Sequence, residues 1–165
     1  MVMHQLDART GKMLEELDAL RFRRSSPVSG IQTAVPGKEY CDFLSGDRWG
    51  KEEWQDFRFA MEVPVPEAGG QFFLYAATGR EGLWDAINPQ FLVRMNGRIV
   101  QAFDVNHLRM PLPDGQRIEV ELQGYCQQPE DGLSYPYLSL TIREVDLALE
   151  QLIWDIRTPY EACLI

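Results

Sequence analysis

Hydrophobic and polar residues alternate along most of the chain beyond residue 53. The first alternating run has one hydrophobic face, made of Phe57, Phe59, Met61 and Val63. The same alternation returns over 118–123 and 138–143, whereas Gln71–Ala77 is almost continuously apolar. Alternation is typical of a strand with one buried face, and a short apolar run indicates a strand buried on both faces. We predict several short strands, the last of them at Ile153–Thr158.

The clearest local prediction is a β-hairpin at Asn96-Gly97. These two residues join strand-like runs at Gln90–Met95 and Arg98–Phe103. A type I′ turn needs a positive φ at both central residues, and Asn followed by Gly tolerates this conformation best.

The N-terminal part has helical spacing. Over Gly11–Arg24, hydrophobic residues recur every three or four positions: Met13, Leu14, Leu17 and Leu20. This pattern predicts an amphipathic helix with Thr10 as its N-cap and arginines in its last turn. We expect Ser25-Ser26-Pro27 to end the helix. The Gly- and Pro-rich stretch that follows, as far as Glu53, is predicted to be mostly loop.

These elements predict a mainly β protein, an antiparallel β-sandwich with an N-terminal helix. Periodicity alone does not separate a jelly roll from an immunoglobulin-like sandwich. The predicted organisation is a helix and arm over residues 1–26, the sandwich domain over 27–157 and a linker over 158–165. Because the sequence stops on apolar residues, we interpret Ile165 as the edge of an excised fragment.

Composition narrows the range of partners. The chain has 165 residues, of which 45% are hydrophobic and 25% charged, as in ordinary globular proteins. Its 16 basic and 25 acidic residues give a net charge of −9, which disfavours nucleic acid and anionic membranes as partners. The sequence shows neither a signal peptide nor an apolar run of about 18 residues. We therefore expect a cytoplasmic protein.

Metal and disulfide chemistry have little support in the sequence. The three cysteines, Cys41, Cys126 and Cys163, are widely spaced and are interpreted as small buried or half-buried thiols in a reducing compartment. The two histidines, His4 and His107, are far apart, and no Cys-x-x-Cys motif accompanies them. We expect no catalytic residue, no metal ligand and no cofactor in this chain itself.

The candidate binding residues are polar and aromatic side chains just outside the hairpin strands. They are Arg80, Glu81, Trp84, Asp85, Asn88, Asp104, Asn106 and His107. Trp84 could stack on a pyranose while its polar neighbours bind hydroxyl groups, or it could pack in the core or against another domain. For Trp49 and Trp54, we favour core or interdomain packing.

The polar candidates also have two interpretations. Asp104 and His107 could face a sugar or another domain. Alternatively, Asp104 and Asn106 could bind nearby backbone N–H groups in a turn after the strand, with His107 filling a niche. Arg80 and Glu81 could form a bridge between loops instead of a binding site.

Three segments of the sequence resemble a known family. TGREGLWDAINPQF and VRMNGRIVQAFDVNH are similar to the non-catalytic N-terminal region of bacterial α-mannosidases of glycoside hydrolase family 38. The upstream segment GDRWGKEEWQDFRFAMEVPVP resembles the same family's Trp-Gly turn, aromatic strand and Val-Pro exit. The resemblance extends from about Lys12 to the C-terminus.

This resemblance implies a jelly-roll sandwich, similar to galactose-binding modules, whose partner is the catalytic domain of the same polypeptide. In that family a zinc-dependent barrel hydrolyses terminal α-mannosides with retention of configuration. Zinc is therefore expected in the catalytic domain, and this chain is expected to be a structural and interdomain domain. Homo-oligomerisation of the full-length enzyme is left open. The alternative is a carbohydrate-binding module that recognises mannose-containing carbohydrate.

Overall fold

The computed structural model describes residues 2–83, 87–127 and 134–163, with side chains from Ala8 onward. Its helices and strands follow in chain order: α1 (Val2–Leu20), β1 (Phe22–Pro27), β2 (Gln32–Ala34), β3 (Cys41–Asp42), β4 (Trp54–Glu62), β5 (Gly70–Ala77), β6 (Gln90–Met95), β7 (Arg98–Phe103), β8 (Arg109–Pro111), β9 (Arg117–Tyr125), β10 (Ser139–Asp146) and α2 (Leu147–Ala162).

The strands form two antiparallel sheets, which confirms the predicted β-sandwich with an N-terminal helix. One sheet has the order β1-β10-β5-β8, and the other has the order β3-β2-β4-β9-β6-β7. The chain crosses repeatedly from one sheet to the other, as in jelly-roll sandwiches. No helix in the described ranges is long and apolar enough to cross a membrane.

The core lies between the two sheets. It is built from alternate positions of the strands, which include Phe57, Phe59, Phe72, Leu74, Phe91, Val93, Val120, Leu122 and Leu140. Trp49 belongs to this core, as expected, with 2% of its surface exposed. Its ring packs edge-on against Phe57 at a centroid distance of 5.5 Å. The aromatic filling holds the sheets together through burial of apolar surface.

The predicted hairpin is confirmed at its predicted bounds. β6 and β7 are antiparallel neighbours, and both turn residues have positive φ, 49° at Asn96 and 74° at Gly97. The register shifts once in this pair, next to Val93. Such a bulge bends and twists the edge of a sheet.

The predicted N-terminal helix is wrong at both ends. α1 begins at Val2, so Thr10 lies inside the helix and is not its N-cap. Phe22–Pro27 forms strand β1, not the last helical turn. The Arg23 guanidinium donates to the Asp146 carboxylate at 2.6 Å, and Arg24 pairs with Glu144 of the same neighbouring strand. Long-range pairing therefore overrides the local helical pattern.

The prediction of a last strand at Ile153–Thr158 is also wrong, because this segment lies within α2. Asp146 is the N-cap of this helix, and its side chain accepts a hydrogen bond from the Leu149 amide at 3.0 Å. This bond satisfies one of the N–H groups that a helix N-terminus leaves without a partner. The expected burial of the cysteines is met only by Cys126, since Cys41 and Cys163 are exposed.

Candidate functional site

The two loops that hold most of the candidate residues meet at one end of the sandwich. One loop follows β5, and the other joins β7 to β8. The Gly82 amide donates to the Val105 carbonyl over 3.0 Å, which joins the loops directly. The candidates brought together here are Arg80, Glu81, Asp104, Asn106 and His107. Trp84 and Asp85 lie outside the described residues.

Glu81 and Arg80 organise the loop after β5. The Glu81 Oε1 atom accepts from the Thr78 amide at 2.5 Å and from the Gly79 amide at 3.1 Å. The Arg80 Nη2 atom donates to the Ser134 carbonyl at 2.7 Å, so it connects two loops. Because carboxylates and guanidinium groups form strong charge-assisted bonds to the backbone, these contacts give both residues a structural role.

Asp104 organises the second loop. Its Oδ1 atom accepts from the Asn106 and His107 amides, both at 2.8 Å, and the His107 Nδ1 atom lies 3.0 Å from it. These are the turn contacts that the sequence allowed. Partial burial acts to raise the pKa of Asp104, but the hydrogen bonds from Asn106 and His107 outweigh it and lower the pKa. Asp104 is therefore ionised at neutral pH.

The His107 side chain is 72% exposed, so it does not fill a niche. Asn88 has an unusual backbone conformation. The φ of Asn88 is 26°, in a region where Asn is tolerated better than most residues. The preceding residue, Ile87, is fully buried, and its carbonyl accepts from the Gln127 amide at 3.2 Å. Asn88 therefore marks the point where the chain enters β6 from the candidate loop.

The described part of this loop end holds no cluster of metal ligands. In residues 8–83, 87–127 and 134–163, no group of three His, Cys, Asp or Glu side chains is placed to hold a metal ion. These residues do not fit the zinc that the resemblance assigns to a catalytic domain. What the arrangement offers is a polar surface, with an ionised carboxylate at Asp104 and an exposed imidazole at His107.

A second candidate site, which the sequence analysis did not identify, lies on the outer face of the six-stranded sheet. It is a groove of ≈ 490 Å³, within the size range of small-molecule sites. Its lining residues are Trp54, Gln90, Phe91, Leu92, Ala102, Phe103, Asp104, Gln123 and Tyr125. Asp104 therefore connects this groove to the candidate loops.

Strand register places the outward side chains of the groove in two rows. In the first row, Tyr125 lies between Trp54 and Gln90. In the second row, Gln123 is opposite Leu92, and Leu92 is opposite Ala102. The Trp54 and Tyr125 rings have centroids 4.9 Å apart and planes inclined at 53°.

The alternation of inward and outward residues along each strand was the sequence signal that could have identified this groove. Since Phe57 and Phe59 face the core, residues at even positions of the same strand, including Trp54, must face outward. The same argument places Gln123 and Tyr125 on the outer face of β9. Trp54 is 47% exposed, so it does not belong to the core.

Comparison with known proteins supports a statement about the fold of this chain and nothing further. No protein-family model and no curated protein matches this chain. It is similar to the FMN-binding β-glucuronidase of Facaelibacterium prausnitzii L2-6, with a TM-score of 0.52, 13% identity and coverage of 76% of this chain and 23% of that one. At this identity the likeness shows the β-sandwich fold alone.

A β-D-glucuronidase of Dictyoglomus thermophilum is a weaker match, with a TM-score of 0.42 and 13% identity. The match covers 75% of this chain and 28% of that one. This chain therefore spans about a quarter of the length of the solved structures that it resembles.

Proposed function

We propose that this chain is a non-catalytic β-sandwich domain of a bacterial family 38 α-mannosidase. Its role is to support the zinc-dependent catalytic domain of the same cytoplasmic polypeptide. The observation that carries the proposal is the position of the resembling segments. The 78–83 loop and the 104–108 loop come from separate segments, yet they are hydrogen-bonded neighbours at one end of the sandwich.

The roles of the motif residues support a structural function. Glu81 and Asp104 each accept two backbone N–H groups within their own loops. Carboxylates used in this way fix the shape of a loop end. A defined, polar loop end is suited to contact another domain, because domain interfaces inside one chain are more polar than obligate interfaces.

Exposed apolar residues in the loop after β5 and on the edge strand β7 give further support. Leu83 is 47% exposed, and Ile99 and Val100 on the edge strand β7 are 63% and 49% exposed. An edge strand with apolar side chains is a place where another chain segment can pack or pair. The proposed partner of this edge is the catalytic domain.

The test compares this 165-residue chain with the native-length gene product. We expect the native-length protein, supplied with zinc, to hydrolyse p-nitrophenyl α-D-mannopyranoside and this chain to show no turnover. In the native-length protein, Ile99→Arg together with Val100→Arg should weaken domain docking, so thermal unfolding should separate into two transitions and activity should fall. Arg98→Ala, at an exposed neighbouring position, is the control.

Two results would contradict the proposal. One is a native-length protein that lacks α-mannosidase activity while it hydrolyses another glycoside or none. The other is a double arginine variant whose unfolding and activity match those of the Arg98→Ala control.

A further inference from the structure

Two aromatic side chains on the outer face of the six-stranded sheet have no evident role in folding. Trp54 and Tyr125 are cross-strand partners, and nearly half of the Trp54 surface is exposed. A large aromatic surface in water is unfavourable, and the core already contains Trp49, Phe57 and Phe91 in mutual contact. The inclined rings of Trp54 and Tyr125 form an apolar wall at one end of the groove.

The amides beside this wall are available for hydrogen bonding. Gln90 is the cross-strand partner of Tyr125. Gln123 is the next residue of β9 that points to the same face as Tyr125. Within the part of the chain that the structure describes, neither side-chain amide has a hydrogen-bond partner. Each amide can donate two hydrogen bonds and accept two. The groove therefore places hydrogen-bonding groups at the edge of a flat apolar surface.

Asp104 adds an acceptor at another side of the groove. Its Oδ1 atom is occupied by the Asn106 and His107 amides. The Oδ2 atom has one contact, with the His107 ring at 3.1 Å. Because an ionised carboxylate oxygen has two lone-pair positions, Oδ2 keeps the capacity to accept a hydroxyl proton.

The charge of the groove indicates which class of ligand it can bind. None of the residues that line it is basic, and Asp104 is ionised, so phosphates and carboxylated sugars are disfavoured by repulsion. A quaternary ammonium group would use the aromatic rings but would leave both amides without a partner. A neutral ring with an apolar face and several hydroxyl groups uses both features.

We propose that this groove binds a neutral pyranoside. The apolar face of the sugar ring stacks on Trp54 with Tyr125 at its side, the Gln90 and Gln123 amides bind ring hydroxyls, and Asp104 accepts from a further hydroxyl. The stacking residue in this proposal is Trp54, whereas the sequence analysis considered Trp84 for that role. The site does not depend on the proposed function, because it rests only on the side chains in the groove.

The first experiment is a titration of the isotope-labelled 165-residue chain with methyl α-D-mannopyranoside, followed through the indole N–H signals in NMR spectra. The four tryptophans give an internal comparison. Trp154 is 48% exposed on α2 and serves as a matched control. We expect a saturable shift of the Trp54 signal, with a dissociation constant of about 1 mM, as expected for a small ligand in an open groove.

Variants then connect the signal to the groove, with calorimetric binding as readout. Trp54→Ala should weaken binding about tenfold, and Gln123→Ala about threefold, from the typical energies of stacking and of one hydrogen bond. Trp54→Phe should retain part of the affinity, and Trp154→Ala all of it. Far-UV circular dichroism verifies that each variant is folded, and Gln123→Ala provides a test even if Trp54→Ala does not fold.

Several outcomes would overturn the proposal. One is the absence of a Trp54 shift with methyl α-D-mannopyranoside and with methyl β-D-glucopyranoside up to about 50 mM, where a millimolar site is nearly saturated. Equal shifts at Trp54 and Trp154 would mean non-specific contact. Tighter binding of methyl β-D-glucuronide or of choline would contradict a neutral ligand. Concentration-dependent dimerisation that Trp54→Ala abolishes would make the groove a protein interface.

Discussion

The outer face of the four-stranded sheet carries a charged cluster that is paired with α2, whereas the outer face of the six-stranded sheet has an open groove beside its exposed ion pairs. On the first face, Arg109 donates to the Tyr75 hydroxyl at 3.2 Å and to Glu150 of α2 at 2.6 Å. On the second face, the Tyr125 hydroxyl and the Gln123 amide have no such partner among the described residues. Two sheets of the same sandwich thus use their outer surfaces differently.

The polar side chains on the two faces therefore differ in whether they stabilise the fold or are available to bind a ligand. Polar groups that are bonded inside the molecule are not available to a ligand, and they stabilise the fold when they are partly buried. Polar groups left in an open groove contribute little to the fold but are available for binding. We therefore expect substitutions on the two faces to affect different measurements.

On the outer face of the four-stranded sheet, the largest effect is expected for Glu150→Ala. Glu150 is 7% exposed, and it binds Arg109 through both carboxylate oxygens and lies 3.4 Å from Arg21. Its removal leaves the partly buried Arg109 without its main partner, so the free energy of unfolding in urea should fall by roughly 3 kcal/mol. Glu161→Ala, which affects an exposed pair with Arg157 at 3.9 Å, should change it by less than about 0.5 kcal/mol. Equal losses would contradict the role of Glu150.

Glu144→Gln should cost roughly 2 kcal/mol at neutral pH. The Glu144 side chain is fully buried, pairs with Arg24 and accepts from the Glu67 amide at 2.6 Å. Burial alone acts to raise the pKa of Glu144, but the hydrogen bonds from Arg24 and Glu67 lower it below the ordinary value.

The lowered pKa of Glu144 gives this prediction a pH dependence. A carboxyl group with a lower pKa in the folded state stabilises the protein above its unfolded pKa, and this contribution is lost as the pH falls through the folded pKa. The wild-type chain should therefore lose stability as the pH falls below the ordinary glutamate pKa of about 4.3, and Glu144→Gln should lose less. Glu62→Gln, in an exposed pair, should follow the wild-type curve; if Glu144→Gln does so too, Glu144 is not a source of the acid sensitivity.

A matched pair of tyrosine substitutions compares the two faces directly. Tyr75→Phe removes a hydroxyl that Arg109 binds, and we expect a loss of about 1 kcal/mol of unfolding free energy. Tyr125→Phe removes the hydroxyl beside the groove and should change stability by less than about 0.5 kcal/mol. Thermal unfolding of both variants in one buffer measures the difference in stability. A larger loss for Tyr125→Phe would mean that the Tyr125 hydroxyl stabilises the fold more than the Tyr75 hydroxyl does.

A small stability effect is expected for Trp54→Ala, about 0.5 kcal/mol from the loss of an exposed cross-strand pair. Trp49→Ala is the contrast, because Trp49 is 2% exposed in the core and its truncation should cost roughly 3–5 kcal/mol. Urea unfolding of both variants separates the two roles of tryptophan. If Trp54→Ala is as damaging as Trp49→Ala, the outer face also supports the fold.

Local chemistry made part of the fold predictable. The hairpin at Asn96-Gly97 was predicted at its correct bounds because the turn depends on the φ preferences of two adjacent residues. The alternation around Phe57 and Phe59 likewise gave the buried face of β4. Jelly-roll connectivity was expected only from the family resemblance, since the alternation of a single strand does not report which strands are neighbours.

The wrong predictions depended on distant contacts. Phe22–Pro27 has arginines where a helix would carry them, but Glu144 and Asp146 bind these arginines from a strand more than a hundred residues later. α2 was missed although Asp146 is a normal N-cap residue, because the apolar residues around Ile153 are also compatible with a strand.

The candidate site was only partly predictable. The turn role of Asp104 was one of two interpretations, and its geometry agrees with the backbone interpretation. The groove needs Trp54, Gln90, Asp104 and Gln123, which come from three strands and a loop, and no local pattern connects them. Only the pairing of β4, β9 and β6 brings these residues to one surface.

The position of β10 between β1 and β5 has a consequence for synthesis on the ribosome. The strands of the six-stranded sheet are complete when Tyr125 has emerged, but the four-stranded sheet lacks an inner strand until Asp146 follows. During that interval the apolar inner face of the first sheet has no complete second sheet to cover it. A nascent chain paused between these residues is therefore expected to be a better substrate for chaperones than one that is twenty residues longer.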